Sequence, residues 1–166
     1  MIKNFSADYV LPVNQQPIVN GVVSVADTGE IVGIYGSSEV KEILKGEEIE
    51  HHSGIIVPGF INAHCHLELS HLHQKVAEKQ GLIPFISAMI AKEEVQDTTV
   101  VEAAAQADKQ MLENGIVAVG DVCNTAVTKT VKEQSSIYYH NYIEMIGFEP
   151  EKVDEVFDKA VAVRDE

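Results

Sequence analysis

The N-terminal third of the chain is patterned as short strands separated by turns. Apolar and β-branched residues cluster in three runs, at residues 7–11, 17–25 and 29–34. Turn signals such as Asn20-Gly21 punctuate these runs. A charged stretch over residues 39–50 carries a short helical pattern and leads into a link through His51-His52-Ser53-Gly54. We therefore predict a first domain over residues 1–56 that is mainly β structure.

From residue 57 onward, strand-like and helix-like patterns alternate. The predicted strands lie around residues 60–63, 116–122 and 136–145, and the predicted helices over 84–95, 99–114, 126–133 and from 150 onward. Phe85 and Ile86, and likewise Val153 and Phe157, recur at helical spacing, which predicts faces that pack on a core. Alternation of this kind is typical of βαβ units around a parallel sheet. The expected fold class is α/β, with a second domain over residues 57–166.

The first strand of this second domain ends in two histidines separated by one residue. The segment 58–68 reads Pro-Gly-Phe-Ile-Asn-Ala-His-Cys-His-Leu-Glu. Because side chains on a strand alternate between faces, His64 and His66 should point the same way and Cys65 the opposite way. Neutral imidazole is the commonest metal ligand in proteins, so the pair predicts half of a metal site.

Composition excludes several other classes of function. Twenty-six acidic residues against twelve Lys and Arg give a net charge of −14, which disfavours nucleic acid as a partner. No apolar run reaches the roughly 18 residues that span a bilayer, and the first residues lack a signal-peptide core. We therefore expect a cytoplasmic protein without a membrane partner. The two cysteines, Cys65 and Cys123, form no disulfide framework and are interpreted as small buried residues.

The residues of segment 58–68 closely resemble the first barrel strand of the amidohydrolase superfamily, in particular its cytosine deaminase, chlorohydrolase and aminodeoxyfutalosine deaminase branch. The resemblance implies the first part of a (β/α)8 TIM barrel, preceded by part of a small β-sandwich. At 166 residues the chain is shorter than the roughly 250 of a complete barrel. It also ends inside a helical pattern, so we expect a truncated barrel with its first three β/α units.

The same resemblance implies a metal-dependent hydrolase that deaminates a heterocycle or nucleoside, a small-molecule substrate. Its nucleophile would be hydroxide on a divalent metal, with zinc as the first expectation and iron or manganese as options. His64 and His66 would be metal ligands. The family's remaining ligands and its proton-transfer groups lie on strands five, six and eight, so the catalytic residues are expected beyond Glu166. These 166 residues alone should therefore be inactive and bind metal weakly.

Four further residues near predicted strand ends are candidates for site functions. Glu68 lies two residues beyond His66 and, on a continuing strand, would share its face and could contact substrate. His71 in the same loop is a second candidate substrate contact. Asp121 and Glu144 fall near the ends of the next two strands, and each is interpreted first as a hydrogen-bonding residue.

Two alternatives to a hydrolase remain open at the level of sequence. A cupin-like metal-binding barrel also carries His-x-His on a strand, although it would continue with short strands and not with helical patterns. A non-catalytic, self-associating module is the other, because three barrel strands without their partners leave an open edge. The open edge also predicts a homo-oligomer.

Overall fold

The computed structural model describes residues 1–90, 95–147 and 149–166. These residues form two compact units, Met1–Pro58 and Gly59–Glu166. The first unit is built on a five-stranded sheet and the second on a three-stranded parallel sheet with helices, so the chain is mixed α/β. The unit boundary lies two residues after the one predicted between residues 56 and 57.

The N-terminal unit is organised around its first strand. Its elements are β1 (Ile2–Val10), β2 (Ile18–Val19), β3 (Val22–Ala26), β4 (Ile31–Tyr35), α1 (Ser37–Ile43) and β5 (Ile49–Ile56). Strand β1 pairs antiparallel with β3 on one side and parallel with β5 on the other. Val10, Val22 and Val23 are buried between these strands. This unit carries the β-branched residues that predicted strands.

Two details of this unit differ from the sequence prediction. The run 17–25 is not one strand, because Asn20 adopts a positive φ of 51° and separates β2 from β3. The predicted link through His51 and His52 is instead part of β5. The side chains of both histidines are exposed, and pairing with β1 satisfies the backbone. The polar residues of this segment therefore obscured the strand in the sequence pattern, although the backbone pairs with β1 as a strand.

The second unit places three parallel strands side by side in chain order. Its elements are β6 (Phe60–Cys65), a 3₁₀ helix (Leu67–Leu72), α2 (Leu82–Ile90), α3 (Asp97–Glu113), β7 (Ile116–Cys123), α4 (Lys129–Gln134), β8 (Tyr138–Ile143), a second 3₁₀ helix (Pro150–Lys152) and α5 (Val153–Asp165). Strand β7 lies between β6 and β8. The strand and helix alternation predicted from residue 57 onward is therefore present. A cupin-like barrel of successive short strands does not have this order.

A small apolar core holds helix α3 against the sheet. Leu67, Ala104 and Val131 are buried together, and the side chains of Cys65 and Met111 pack against them. Helix α3 ends where Gly115 takes a φ of 81°, a conformation that glycine adopts without the steric cost of a side chain. The core therefore joins the segment after β6 to the helices that follow.

The two helix faces predicted to pack on a core are exposed instead. Phe85 and Ile86 on α2 are 49% and 42% exposed, and Val153 and Phe157 on α5 are 63% and 56% exposed. The helical periodicity was correct, but no element within the described ranges covers these side chains. The predicted extension of α2 toward Val95 runs through residues 91–94, which lie outside the described residues. None of the described helices is long and apolar enough to cross a membrane.

Substituting Leu67→Ala should destabilise the second unit by about 2–5 kcal/mol, because Leu67 is fully buried in the core and its truncation leaves a cavity. Chemical denaturation measures the free energy of unfolding. The same substitution at Leu82, which is 68% exposed, is the matched control and should change stability by less than about 0.5 kcal/mol. Equal effects at the two leucines would contradict the assigned core.

Candidate functional site

The candidate site begins where β6 ends. Gly59 precedes the strand, and a Cβ there would lie 2.3 Å from a methyl group of Val117, so only glycine permits this close approach to β7. Gly120 plays the same part further along, since its Cβ would lie 2.9 Å from the carbonyl oxygen of Ala63. Gly59 thus permits close packing at the start of β6, and Gly120 permits it next to the histidine pair. His64 lies within the strand, and His66 follows its last residue.

The two imidazoles face each other at the end of β6. Their Nε2 atoms are 3.2 Å apart, their ring centroids 5.2 Å apart, and their planes are inclined by 49°. The backbone N–H of His64 donates to Oδ1 of Asn62, at 3.3 Å. The structure therefore brings the two predicted ligands together, as the alternation of side chains on a strand required.

This spacing fits one shared metal ion. With zinc at its usual 2.0–2.1 Å from each imidazole nitrogen, a 3.2 Å separation corresponds to an N–Zn–N angle of about 100°, near the tetrahedral value. Among residues 1–90, 95–147 and 149–166, no three His, Cys, Asp or Glu side chains converge as a metal-binding cluster. The donor set thus fits two positions of a metal site, whereas a catalytic zinc usually has three protein ligands.

The other ring nitrogen of His66 is also informative. Its Nδ1 atom is buried and has no hydrogen-bond partner among the described residues. A metal-bound imidazole usually donates its second N–H to a carboxylate or carbonyl group, which fixes the tautomer. The described residues therefore bring the two imidazole Nε2 atoms together but provide no hydrogen-bond partner for Nδ1 of His66.

Cys65 lies on the opposite face from the histidines and packs against the apolar core. Burial, reinforced by the negative charge of Asp121, raises the pKa of the Cys65 thiol to about 11. Because a thiolate is the form that binds metals, this thiol is poorly suited to be a ligand. Cys65 is half-buried and Cys123 is 3% exposed, so the interpretation of the two cysteines as small buried residues is confirmed for Cys123 and holds only in part for Cys65.

Glu68 is not on a continuing strand, so the reasoning that gave it the ligand face was wrong. The chain turns into the 3₁₀ helix Leu67–Leu72 directly after His66. The Glu68 carboxylate is only 7% exposed and accepts hydrogen bonds from the backbone N–H groups of Asn124 and Thr125 and from the Thr125 hydroxyl. It joins the segment after β6 to the segment after β7.

The remaining candidates occupy different places at the carboxyl ends of the strands. The His71 ring is half-buried, with Nδ1 lying 2.9 Å from the carbonyl oxygen of Glu68. The backbone of Glu144 is hydrogen-bonded to the end of β7 and to the residue after it. Its N–H donates to the carbonyl oxygen of Cys123, and its carbonyl oxygen accepts a hydrogen bond from the side-chain amide of Asn124. The structure records no bond for the Glu144 side chain within the described ranges.

Asp121 is fully buried and does not face the histidines. It lies beside Cys65, and its Oδ1 atom accepts the backbone N–H of Leu67 at 2.8 Å. Its Oδ2 atom lies 2.6 Å from Nζ of Lys132 on α4. The interpretation of Asp121 as a hydrogen-bonding residue is therefore correct.

Sequence reasoning missed three residues that hold this region together: Lys132, Asn124 and Thr125. Asn124 and Thr125 could have been found, because they directly follow β7 at the edge where polar groups of parallel strands meet. Lys132 carried no signal, since a single lysine in a short helix rich in polar residues looks like any surface cation. Only its burial, at 10% exposure, distinguishes it.

Comparison with known proteins gives one family and a consistent fold. The family model described as "Amidohydrolase family" matches residues 55–162. No curated protein matches the chain. Aminofutalosine deaminase of Helicobacter pylori, solved with methylthio-coformycin, superimposes with a TM-score of 0.74 at 19% identity, covering 98% of this chain and 40% of that one.

Two further solved structures are similar to the same extent. An adenosine deaminase from Xanthomonas campestris with bound zinc gives a TM-score of 0.65 at 20% identity, covering 98% of this chain and 39% of that one. Atrazine chlorohydrolase TrzN from Arthrobacter aurescens TC1, complexed with zinc, gives 0.66 at 16% identity, with 98% and 42% covered. At these identities the likeness shows the fold. The chain spans about two fifths of the length of these proteins.

In a Cys123→Ser variant, where Cys65 is the remaining thiol, we expect alkylation near pH 8 to be at least about 100-fold slower in the folded than in the unfolded chain. The pKa of Cys65 rises from 9.0 to about 11 on folding, so the thiolate population falls by about this factor. A time course of alkylation, quenched at intervals and analysed by mass spectrometry, measures the rate in each state. Similar rates in the two states would contradict the buried placement of the thiol.

Proposed function

Because the chain belongs to the amidohydrolase family, we propose that it forms the first part of a metal-dependent hydrolase that deaminates a nitrogen heterocycle or nucleoside. The observation that carries this proposal is the 3.2 Å separation of the His64 and His66 Nε2 atoms at the end of β6. Family membership supplies the hydrolase class, and the imidazole pair supplies this chain's share of the metal site.

The proposed architecture is the first three β/α units of a (β/α)8 barrel, with residues 1–56 contributing part of a β-sandwich. Strands β6, β7 and β8 are parallel and lie in chain order, as successive barrel strands do. The superposition of 98% of this chain on 40% of a deaminase chain supports the same assignment. Barrel enzymes carry their sites at the carboxyl ends of the strands, which is where the imidazole pair lies.

In the proposed mechanism, His64 and His66 would hold one divalent ion, because their Nε2 atoms lie 3.2 Å apart. When bound, such an ion lowers the pKa of coordinated water enough to supply hydroxide at neutral pH. Zinc is the first assignment, supported by the zinc in two of the similar structures, and iron or manganese are options for this ligand type. The further ligand and the proton-transfer groups would come from outside the described residues.

Glu68 and His71 are proposed as substrate contacts beside this pair. A carboxylate offers about four acceptor positions, and Glu68 uses three, which leaves about one for a substrate N–H or O–H. His71 lies one helical turn further on and keeps its Nε2 atom for a polar substrate group. Both residues belong to the 3₁₀ helix that follows His66 directly.

The substrate class rests on the similar structures. Their names include deaminases of aminofutalosine, adenosine and guanine, together with a triazine hydrolase. Each of those names specifies a nitrogen heterocycle or a nucleoside. We therefore propose a small molecule of this class for the present protein, in a reaction that replaces an exocyclic amine by oxygen and releases ammonia.

The proposed partners follow from charge and exposed surface. A net charge of −14 disfavours binding to nucleic acid. Homo-oligomer formation is proposed because large apolar side chains such as Phe60 and Ile61 are 58% and 70% exposed. A cytoplasmic location is proposed on the basis of the two free cysteines, Cys65 and Cys123.

In the full-length protein loaded with zinc, His64→Gln and His66→Gln should each lower kcat/KM for ammonia release by at least about 100-fold. Loss of a residue that hydrogen-bonds to a metal ligand typically costs about 10–100-fold, and loss of the ligand itself should cost more. Adenosine, guanine and triazines form the substrate panel. His73→Gln, at an exposed histidine near the same 3₁₀ helix, is the matched control and should retain activity. Full zinc content and turnover in His66→Gln would refute the assignment.

Assayed by themselves, the 166 residues should release no ammonia from these substrates and should bind zinc far more weakly than a complete metallohydrolase. The reason is that the described residues provide two imidazole ligands and no third. Competition with a chromophoric chelator measures the zinc affinity. An affinity equal to that of an intact three-ligand site would contradict the proposed division of the ligands.

A further inference from the structure

The segment that follows the histidine pair is held by a buried charge. Strand β6 pairs with β7 as far as Cys65, which lies opposite Asp121. Two residues later, the N–H of Leu67 has no strand partner and donates to the Asp121 side chain at 2.8 Å. The Asp121 carboxylate thus extends the link between β6 and β7 past the point where backbone pairing stops.

This hydrogen bond acts directly on the conformation of His66. The N–H of Leu67 belongs to the peptide plane that follows His66, so fixing its direction fixes the ψ angle of His66, which is 79°. With the strand anchoring the chain before His66 and this hydrogen bond anchoring the peptide plane after it, the His66 backbone is restrained on both sides, and so is the Cα–Cβ bond that carries the ring toward His64. A change at Leu67 would therefore alter the 3.2 Å separation of the two Nε2 atoms.

The carboxylate is itself held in place from the other side. Nζ of Lys132 lies 2.6 Å from Oδ2 of Asp121 and donates to Oδ1 of Asn141 on β8 at 2.8 Å. The Lys132 side chain is 10% exposed and that of Asp121 is fully buried. Burying two charges is costly, and such pairs are often no better for stability than apolar residues of the same size. Stability alone therefore does not account for this pair.

We propose that Asp121 is a positioning residue for the metal ligand His66, acting through the Leu67 amide. This role rests on the proposed metal-dependent function. Asp121 is not a ligand itself, because it lies beside Cys65, on the face opposite the two imidazoles, and both of its oxygens are engaged. It acts in the way that outer-sphere residues act in metal sites, by restricting the orientation of a ligand.

Two double variants separate the amide acceptor from the ion pair. Asp121→Asn with Lys132→Met removes both charges but keeps a carbonyl oxygen for the Leu67 N–H, whereas Asp121→Ala with Lys132→Met removes both charges and the acceptor. On the full-length protein, the first variant should bind zinc within about threefold of the wild type, and the second about 10–100-fold more weakly. Chelator competition gives the zinc Kd, and cobalt(II) absorption reports the ligand geometry.

If Asp121 had only a structural role, both double variants would have a lower unfolding midpoint but the same zinc affinity. Equal Kd values for the two double variants would therefore overturn the positioning role. If the alanine variant does not fold, Asp121→Glu gives the same comparison, because it keeps both charges and displaces the acceptor by one methylene. An affinity below that of the wild type supports the role, and an unchanged affinity overturns it. Absence of zinc binding in the wild type would instead refute the proposed function, and the positioning role with it.

Discussion

The buried carboxylate of Asp121 holds together three parts of the second unit at the carboxyl ends of its strands. It binds the backbone after β6 through Leu67, belongs to β7, and pairs with Lys132 on α4, which in turn reaches β8 through Asn141. Parallel strands give evenly spaced but slanted hydrogen bonds, and these end where the strands end. Beyond that point, side chains must hold the carboxyl ends of the strands in register.

The parallel sheet presents two faces with different surroundings. On one face, Val119 is 1% exposed and Tyr139 packs on the core under α3. Burial and a hydrogen bond to Asp108 raise the pKa of the Tyr139 phenol, as expected for a group held in an apolar layer. On the other face, His64 is exposed and Tyr142 is 52% exposed. The core under α3 thus lies on the face of the sheet opposite the exposed His64 ring.

The prediction for Glu68 as a substrate contact rested on an extended backbone that the chain does not have after His66. The sequence placed it near the histidine pair, and it lies three residues after Cys65, the last residue of β6, in the 3₁₀ helix. Its carboxylate, however, is engaged by Asn124 and Thr125, which come from the segment after β7. The alternation rule fails here because it holds only while the backbone stays extended.

Much of the second unit was readable from local pattern, including the alternation of strand and helix, the end of α3 at Gly115 and the shared face of His64 and His66. These features depend on residues close in sequence, for which periodicity and turn chemistry are direct constraints. The partners of Asp121, the burial of Lys132 and the exposure of Phe85 were decided only by the tertiary structure. Each depends on which distant segment occupies the neighbouring space, and a linear pattern of polar and apolar residues does not specify that.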